Sequence, residues 1–158
     1  MNEDRVEIVL VEDNPNDLEL ALYAFHKCQL AHKIHVARDG NEAINFFFDQ
    51  TNGDFIARKV APKLVFLDLK LPKVNGLEVL RLIKSHPSTK NIPVVVLTSS
   101  QQDRDMARAY SFGANGYMIK PVNFPEFVED IRVVLLYWLS INQLPGLEQP
   151  PQTDGQSN

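Results

Sequence analysis

The sequence predicts an α/β fold, a doubly wound parallel sheet of five short strands alternating with five helices. Three observations predict it. Runs of four to six aliphatic or β-branched residues recur with almost no polar face, as strands buried on both sides require. Between them lie longer stretches whose apolar residues return at helical spacing. The chain has 158 residues, enough for one domain with a substantial core.

The elements follow in order. Val6–Val11 (VEIVLV) is the first strand. In the next string, EDNPND, Asn14 suits a helix N-cap and Pro15 the first helical position. Leu18, Ala21, Leu22 and Phe25 then mark the first helix. Cys28 follows it, with Leu22, Phe25 and Leu30 as apolar neighbours, and is read as a buried thiol. Ile34–Ala37 is the second strand, and RDGNEA opens a second helix from Glu42 to about Phe48. Residues 50–62 (QTNGDFIARKVAP) break the rhythm and read as a loop around Gly53. Phe46, Phe47 and Phe48 point in three directions on a helix. Phe55, Ile56 and Val60 of the loop are expected to pack back and cover the outer ones. Leu64–Leu67 is the third strand. Gly76 to Ile83 is a helix with Leu77, Leu80 and Ile83 on one side. NIPVVVLTSS holds the fourth strand, with Pro93 at its start. QQDRDMARAYSFGAN is a helix closed by Gly113. Gly116–Ile119 is the fifth strand, and Phe124 to about Ile141 the last helix. Residues 1–144 therefore form one domain. Residues 145–158, rich in Pro, Gly and Gln without periodicity, read as a disordered tail.

Composition narrows the function. A net charge of −4 gives no basic surface for nucleic acid. The single cysteine allows no internal disulfide and suits a reducing compartment. The polar start MNEDRVE is not a signal peptide, and no apolar run approaches the roughly 20 residues of a membrane span. A cytoplasmic protein is expected.

The chemistry lies where the strands end. In an open parallel sheet, ligands bind beyond the carboxyl ends of the strands. The first strand delivers Glu12 and Asp13 there, the third Asp68, the fourth Thr98 and the fifth Lys120. Alone, each is an ordinary turn, strand or surface residue. Together they put three acids, a hydroxyl and an ammonium on one edge. Three crowded carboxylates repel, and a divalent cation relieves that. Carboxylate oxygens with a carbonyl and waters suit octahedral Mg²⁺. Mg²⁺, a hydroxyl and a lysine can then hold the oxygens of a phosphoryl group, with Asp68 as the carboxylate nucleophile.

The strings VEDNPND, LDLKLPKVNG, LTSS and GYMIKP resemble the four motif blocks of response-regulator receiver domains. The match covers nearly all of residues 6–140. From Asp68 to Thr98 is 30 residues, and from Thr98 to Lys120 is 22, as in small chemotaxis-type receivers. The interval from Asp13 to Asp68 is longer than usual, and the surplus falls in the 50–62 loop. That loop and the VEDNPND opening resemble single-domain regulators paired with cyanobacterial and bacterial phytochromes.

The resemblance implies a flavodoxin-like strand order 2-1-3-4-5. It implies Asp68 as phospho-acceptor for a phytochrome-like sensor histidine kinase. Glu12, Asp13 and Asp68 would bind Mg²⁺ with the backbone carbonyl of Lys70. Thr98 would be the switch hydroxyl and Tyr117 the switch aromatic. Lys120 would contact the phosphoryl group, and its bond to Pro121 would be cis. Leu71 stands where many receivers have methionine. Lys70 occupies a position that tunes phosphoryl lifetime, and its long cation is expected to slow autodephosphorylation. With no output domain, the signal would leave through protein contacts or a phosphorelay.

Other readings fit less well. A haloacid-dehalogenase-like phosphatase needs a second Asp two residues after the nucleophile, where Lys70 stands. A dinucleotide-binding domain needs glycines that VEDNPND lacks. A receiver-like scaffold that is never phosphorylated would not need the complete set of acids, hydroxyl and lysine.

The last helix adds a separate expectation. Val133 to Leu139 are seven apolar residues in succession, more than one docked stripe can bury. A homodimer through this helix is expected, with Tyr137 and Trp138 near the contact.

Overall fold

The structure, a computed structural model, describes residues 5–29 and 33–145. Leu30 and the tail from residue 146 onward lie outside the described residues.

The chain runs β1 (Ile8–Val11), α1 (Pro15–Lys27), β2 (Ile34–Ala37), α2 (Gly40–Phe47), β3 (Phe48–Thr51), β4 (Asp54–Ala57) and β5 (Leu64–Leu67). It continues through α3 (Gly76–Ser85), β6 (Val94–Thr98), α4 (Asp103–Ser111), β7 (Gly116–Ile119) and α5 (Phe124–Leu136), closing on a π-helical turn at Tyr137–Ile141. The main sheet has the order β2-β1-β5-β6-β7, with every neighbouring pair parallel. These are the five strands read from the sequence, in the expected order 2-1-3-4-5.

Period-two alternation in the strands builds two cores. Val9, Val11, Val65, Leu67, Val94 and Val96 face α2, α3 and α4. Ile8, Leu10, Leu64, Phe66, Val95 and Leu97 face α1 and α5. Every residue of β1, β5 and β6 is buried, which explains why Thr98, at the end of β6, is their single polar residue. Among the described residues, no helix is long and apolar enough to cross a membrane.

The helix starts follow their local sequence. The Asn14 side chain accepts from the N–H groups of Asn16 and Asp17, with Pro15 at the first position. Asn75 and Asn123 cap α3 and α5 in the same way. After α4, Gly113 takes a φ of 101°, the left-handed conformation that glycine adopts without a Cβ penalty. Cys28 is half-buried beside the second core, and burial pushes its thiol pKa up.

Three expectations are corrected. Residues 50–62 are not simply a loop: β3 and β4 form an antiparallel hairpin in which Thr51 pairs with Asp54. Asn52 and Gly53, with φ of 53° and 82°, form the two-residue turn that matches strand twist. α2 consequently stops at Phe47. Phe48 is buried, its ring edge-on to Phe55 at 6.1 Å. Val60 and Ala57 pack on the core, while Ile56 faces solvent. Phe46 is covered instead by His35, stacked at 4.5 Å. Second, α5 becomes a π-helical turn from Tyr137 rather than running on as one α-helix to Ile141. Third, the Lys120–Pro121 bond is trans, since no cis peptide occurs among the described residues. The trans form is the one favoured for X–Pro bonds, by about 0.5–1 kcal/mol.

Candidate functional site

The parallel ladder levels the strand ends. Val11 lies opposite Leu67, and Thr98 opposite Ile119. Each ladder extends one residue further: Asp68 N–H donates to Val11 (3.1 Å), Glu12 N–H to Ala37 (3.0 Å) and Lys120 N–H to Thr98 (2.8 Å). Glu12, Asp68 and Lys120 are thereby fixed by backbone bonds just beyond the sheet. Gly76 at the start of α3 presses on the turn that carries Asp68. Its N–H donates to the Leu69 carbonyl at 3.0 Å, and a Cβ there would collide with the backbone carbonyl of Asp68.

Lys120 is the hub. Its ammonium donates to Glu12 Oε2 at 2.7 Å, Asp17 Oδ2 at 2.8 Å and Asp68 Oδ2 at 3.0 Å. Burial works against its charge, but bonds to Asp17 and Glu12 and the charge of Asp68 outweigh that and raise its pKa. Glu12 is buried, and its other oxygen accepts the Asn14 N–H at 3.1 Å. Desolvation pushes Glu12 up to about 7, helped by the nearby Asp68 charge and opposed by Lys120.

Oxygens of Glu12, Asp13 and Asp68 lie within 4.8 Å of one another. Hard oxygen donors at this spacing fit Mg²⁺ or Mn²⁺. The Lys70 N–H donates to Asp68 Oδ1 at 3.2 Å, while the lysine itself is exposed.

Thr98 is fully buried, and its hydroxyl accepts the Ser100 N–H at 3.3 Å. Tyr117 is half-buried and donates its hydroxyl to the Ser100 carbonyl at 3.0 Å, with burial pushing the phenol pKa up. The Ser100 hydroxyl donates to Asp105 on α4 at 2.5 Å. Ser100 thus ties the end of β6 to both β7 and α4.

Glu12, Asp13, Asp68 and Lys120 therefore converge as the sequence predicts, with Thr98 closing the adjacent strand. Asp17 and Ser100 were not foreseen as members of the site. Asp17 stands within VEDNPND, in the first turn after its cap, but its partner Lys120 is 103 residues away. Beside this pair, a cleft of about 60 Å³ opens between α1 and the start of α5, lined by Asp17, Leu20, Lys120, Val122 and Phe124.

The response regulator receiver domain profile matches residues 8–132. The chain is 36% identical to the response regulator Rcp1 of Synechocystis, over 87% of this chain and 92% of the relative. It is 40% identical to the "Probable methanogenesis regulatory protein FilR2" of Methanothrix harundinacea, over 91% and 90%. Among solved structures, phosphorylated RcpA, a cyanobacterial phytochrome response regulator, superposes with a TM-score of 0.79 at 36% identity, covering 90% of this chain and 99% of that one. The bacteriophytochrome response regulator AtBRR is 45% identical with a TM-score of 0.63, covering 88% and 99%. Rcp1 has also been solved in a Mn²⁺-bound form. The profile spans most of the chain and the relatives align over nearly their whole length, so this chain belongs to the response regulator receiver domain family and resembles its phytochrome-paired members.

Proposed function

We propose that this protein accepts a phosphoryl group on Asp68 from the phosphohistidine of a phytochrome-type sensor histidine kinase, and passes the signal on through protein contacts or a phosphorelay. The observation that carries this reading is the Lys120 ammonium held between Asp68 and Glu12 at the sheet edge. An Asp68 oxygen attacks phosphorus as the P–N bond breaks. The imidazole keeps that electron pair and takes up a proton, and the product is an aspartyl phosphate. Lys120 and Thr98 donate to the phosphoryl oxygens, contacts that exist only in that state. An opposite charge about 4 Å away is worth about 4 kcal/mol at an effective dielectric near 20. Mg²⁺, held by Glu12, Asp13, Asp68 and the Lys70 backbone carbonyl, would supply charge neutralisation for two anions brought together. No catalysis beyond the protein's own phosphorylation and dephosphorylation belongs to this reading, and its place of action is the cytoplasm.

The phosphoryl group recruits the Thr98 hydroxyl away from Ser100. Tyr117, bonded to the same residue, then changes its packing, and with it the face made by α4, β7 and α5. This is the differential contact that a two-state switch requires. The phytochrome pairing is supported by the likeness to RcpA and AtBRR. The signalling unit is a homodimer joined through the end of α5 and the π-helical turn. Val133, Leu136, Tyr137 and Ile141, at helical spacing on the outer side of this segment, are its support.

The test is transfer of label from autophosphorylated histidine kinases of several input classes, phytochromes among them. The expected result is magnesium-dependent, hydroxylamine-sensitive label on the protein, fastest from a phytochrome kinase and absent in Asp68→Asn. Label that persists in Asp68→Asn would overturn the assignment of the acceptor. Faster transfer from another class would overturn the phytochrome pairing.

A further inference from the structure

We infer that Asp17 is a positioning residue that acts through Lys120, competing with the phosphoryl group for the ammonium and so restraining occupancy of Asp68. The inference rests on the proposed phosphoryl chemistry and deepens it. An ammonium has three N–H bonds, and Lys120 commits all three to carboxylates: Glu12, Asp17 and Asp68. A phosphoryl oxygen gains a Lys120 donor only by displacing one of these acceptors.

The three are not equally easy to displace. The side chains of Glu12 and Asp68 are 2% and 9% exposed, and in the loaded state their charge would have other partners, Mg²⁺ for Glu12 and the bonded phosphorus for Asp68, so Asp17 is the acceptor that still competes for the ammonium. Asp17 is 37% exposed and can exchange the ammonium for water. Its backbone stays anchored, because the Asn14 side chain holds the Asp17 N–H at 3.1 Å. Displacement therefore swings one side chain and leaves α1 in place.

Two effects then share a sign. The Asp17–Lys120 bond stabilises the empty site, which binding must undo. The Asp17 carboxylate also repels the incoming anion. Removing the charge removes both. A merely structural role, in which Asp17 props Lys120 in place or favours the helix start, predicts the opposite or no change in anion binding.

The experiment uses the full chain and beryllofluoride as the phosphoryl probe, titrated at saturating Mg²⁺ and followed by ¹⁹F NMR of the bound species. Asp17→Asn is expected to lower the half-saturating concentration about two- to fivefold, the range set by a partly exposed ion pair. Asp17→Glu, which keeps the charge, should return it toward the wild-type value. Asp17→Ser, compatible with a helix start, should tighten binding as Asp17→Asn does, and decides the matter if Asp17→Asn does not fold. Equal or weaker binding in a folded, uncharged variant overturns the inference while leaving phosphorylation at Asp68 intact. A wild-type protein that binds no beryllofluoride overturns the proposed function, and this inference with it.

Discussion

Glu12 carries the clearest pH signature. Its usual pKa of 4.5 is pushed to about 7 in the folded, metal-free protein, chiefly by burial. Between those values the folded state keeps a proton that the unfolded chain has released. Glu12 therefore contributes stability that is complete below pH 4.5 and is lost as pH rises through about 7. Metal binding runs the other way, because the ligand must be deprotonated. Mg²⁺ should bind about tenfold more tightly at pH 8 than at pH 6, as one proton of pKa near 7 ceases to compete. Calorimetric titration at both pH values checks this, and Glu12→Gln should flatten the dependence. A wild-type affinity unchanged between pH 6 and 8 would show that Glu12 is already ionised. At this scale the sequence was informative wherever a residue terminates a strand, because the edge of a parallel sheet gathers such residues automatically. Glu12, Asp13, Asp68, Thr98 and Lys120 were found that way. Asp17 and Ser100 were not, because their roles depend on partners met only after folding.

Among the elements, the five sheet strands and the start of α1 were legible because apolar runs and the Asn14-Pro15 cap state them locally, whereas α2 begins two residues before the expected Glu42 and α4 begins at Asp103 without a side-chain cap. The β3–β4 hairpin was missed even though its Asn52-Gly53 turn is a strong two-residue hairpin signal. Its strands, FDQT and DFIA, are four residues each and largely exposed, so no alternation marks them. Phe48 was assigned to a helix because Phe46 and Phe47 precede it, yet it opens β3 and is fully buried beside His86, with ring centroids 4.7 Å apart. The hairpin is thus anchored at its base and free at its outer face. Phe48→Ala should cost about 3–5 kcal/mol in urea unfolding, the range for truncating a buried phenylalanine. Ile56→Ala, on the exposed side, should change stability by about 0.5 kcal/mol or less. Similar losses for both would mean that the hairpin's outer face is covered, which its 55% exposure at Ile56 argues against.

Over the whole of the described residues, the two cores account for most of the apolar pattern, and one group among the large apolar side chains they leave exposed, Val133, Leu136, Tyr137, Ile141 and Leu144, falls in and just after the last helical segment. Of the apolar residues from 133 to 139, Leu135 is buried, and Val134, Trp138 and Leu139 pack against the second core. Leu136 and Tyr137 are each 47% exposed, and Ile141 is 59% exposed. The excess of apolar surface expected from the sequence is present, carried by Leu136 and Tyr137 more than by the half-buried Trp138. Trp138 packs against the second core with Tyr137 edge-on at 5.1 Å, so Tyr137 is the more exposed of the two. A second copy meeting this stripe about a two-fold axis would bury the same residues on both chains, the self-complementary arrangement expected of a homodimer. Light scattering should give a dimer mass for the full chain. Tyr137→Glu combined with Ile141→Glu should give a folded monomer, since both side chains point away from the core. Removing residues 146–158 should leave the dimer intact. A full chain that is monomeric at every concentration tested would refute the dimer. If removing those residues then made it associate, the tail would be the cover of this surface.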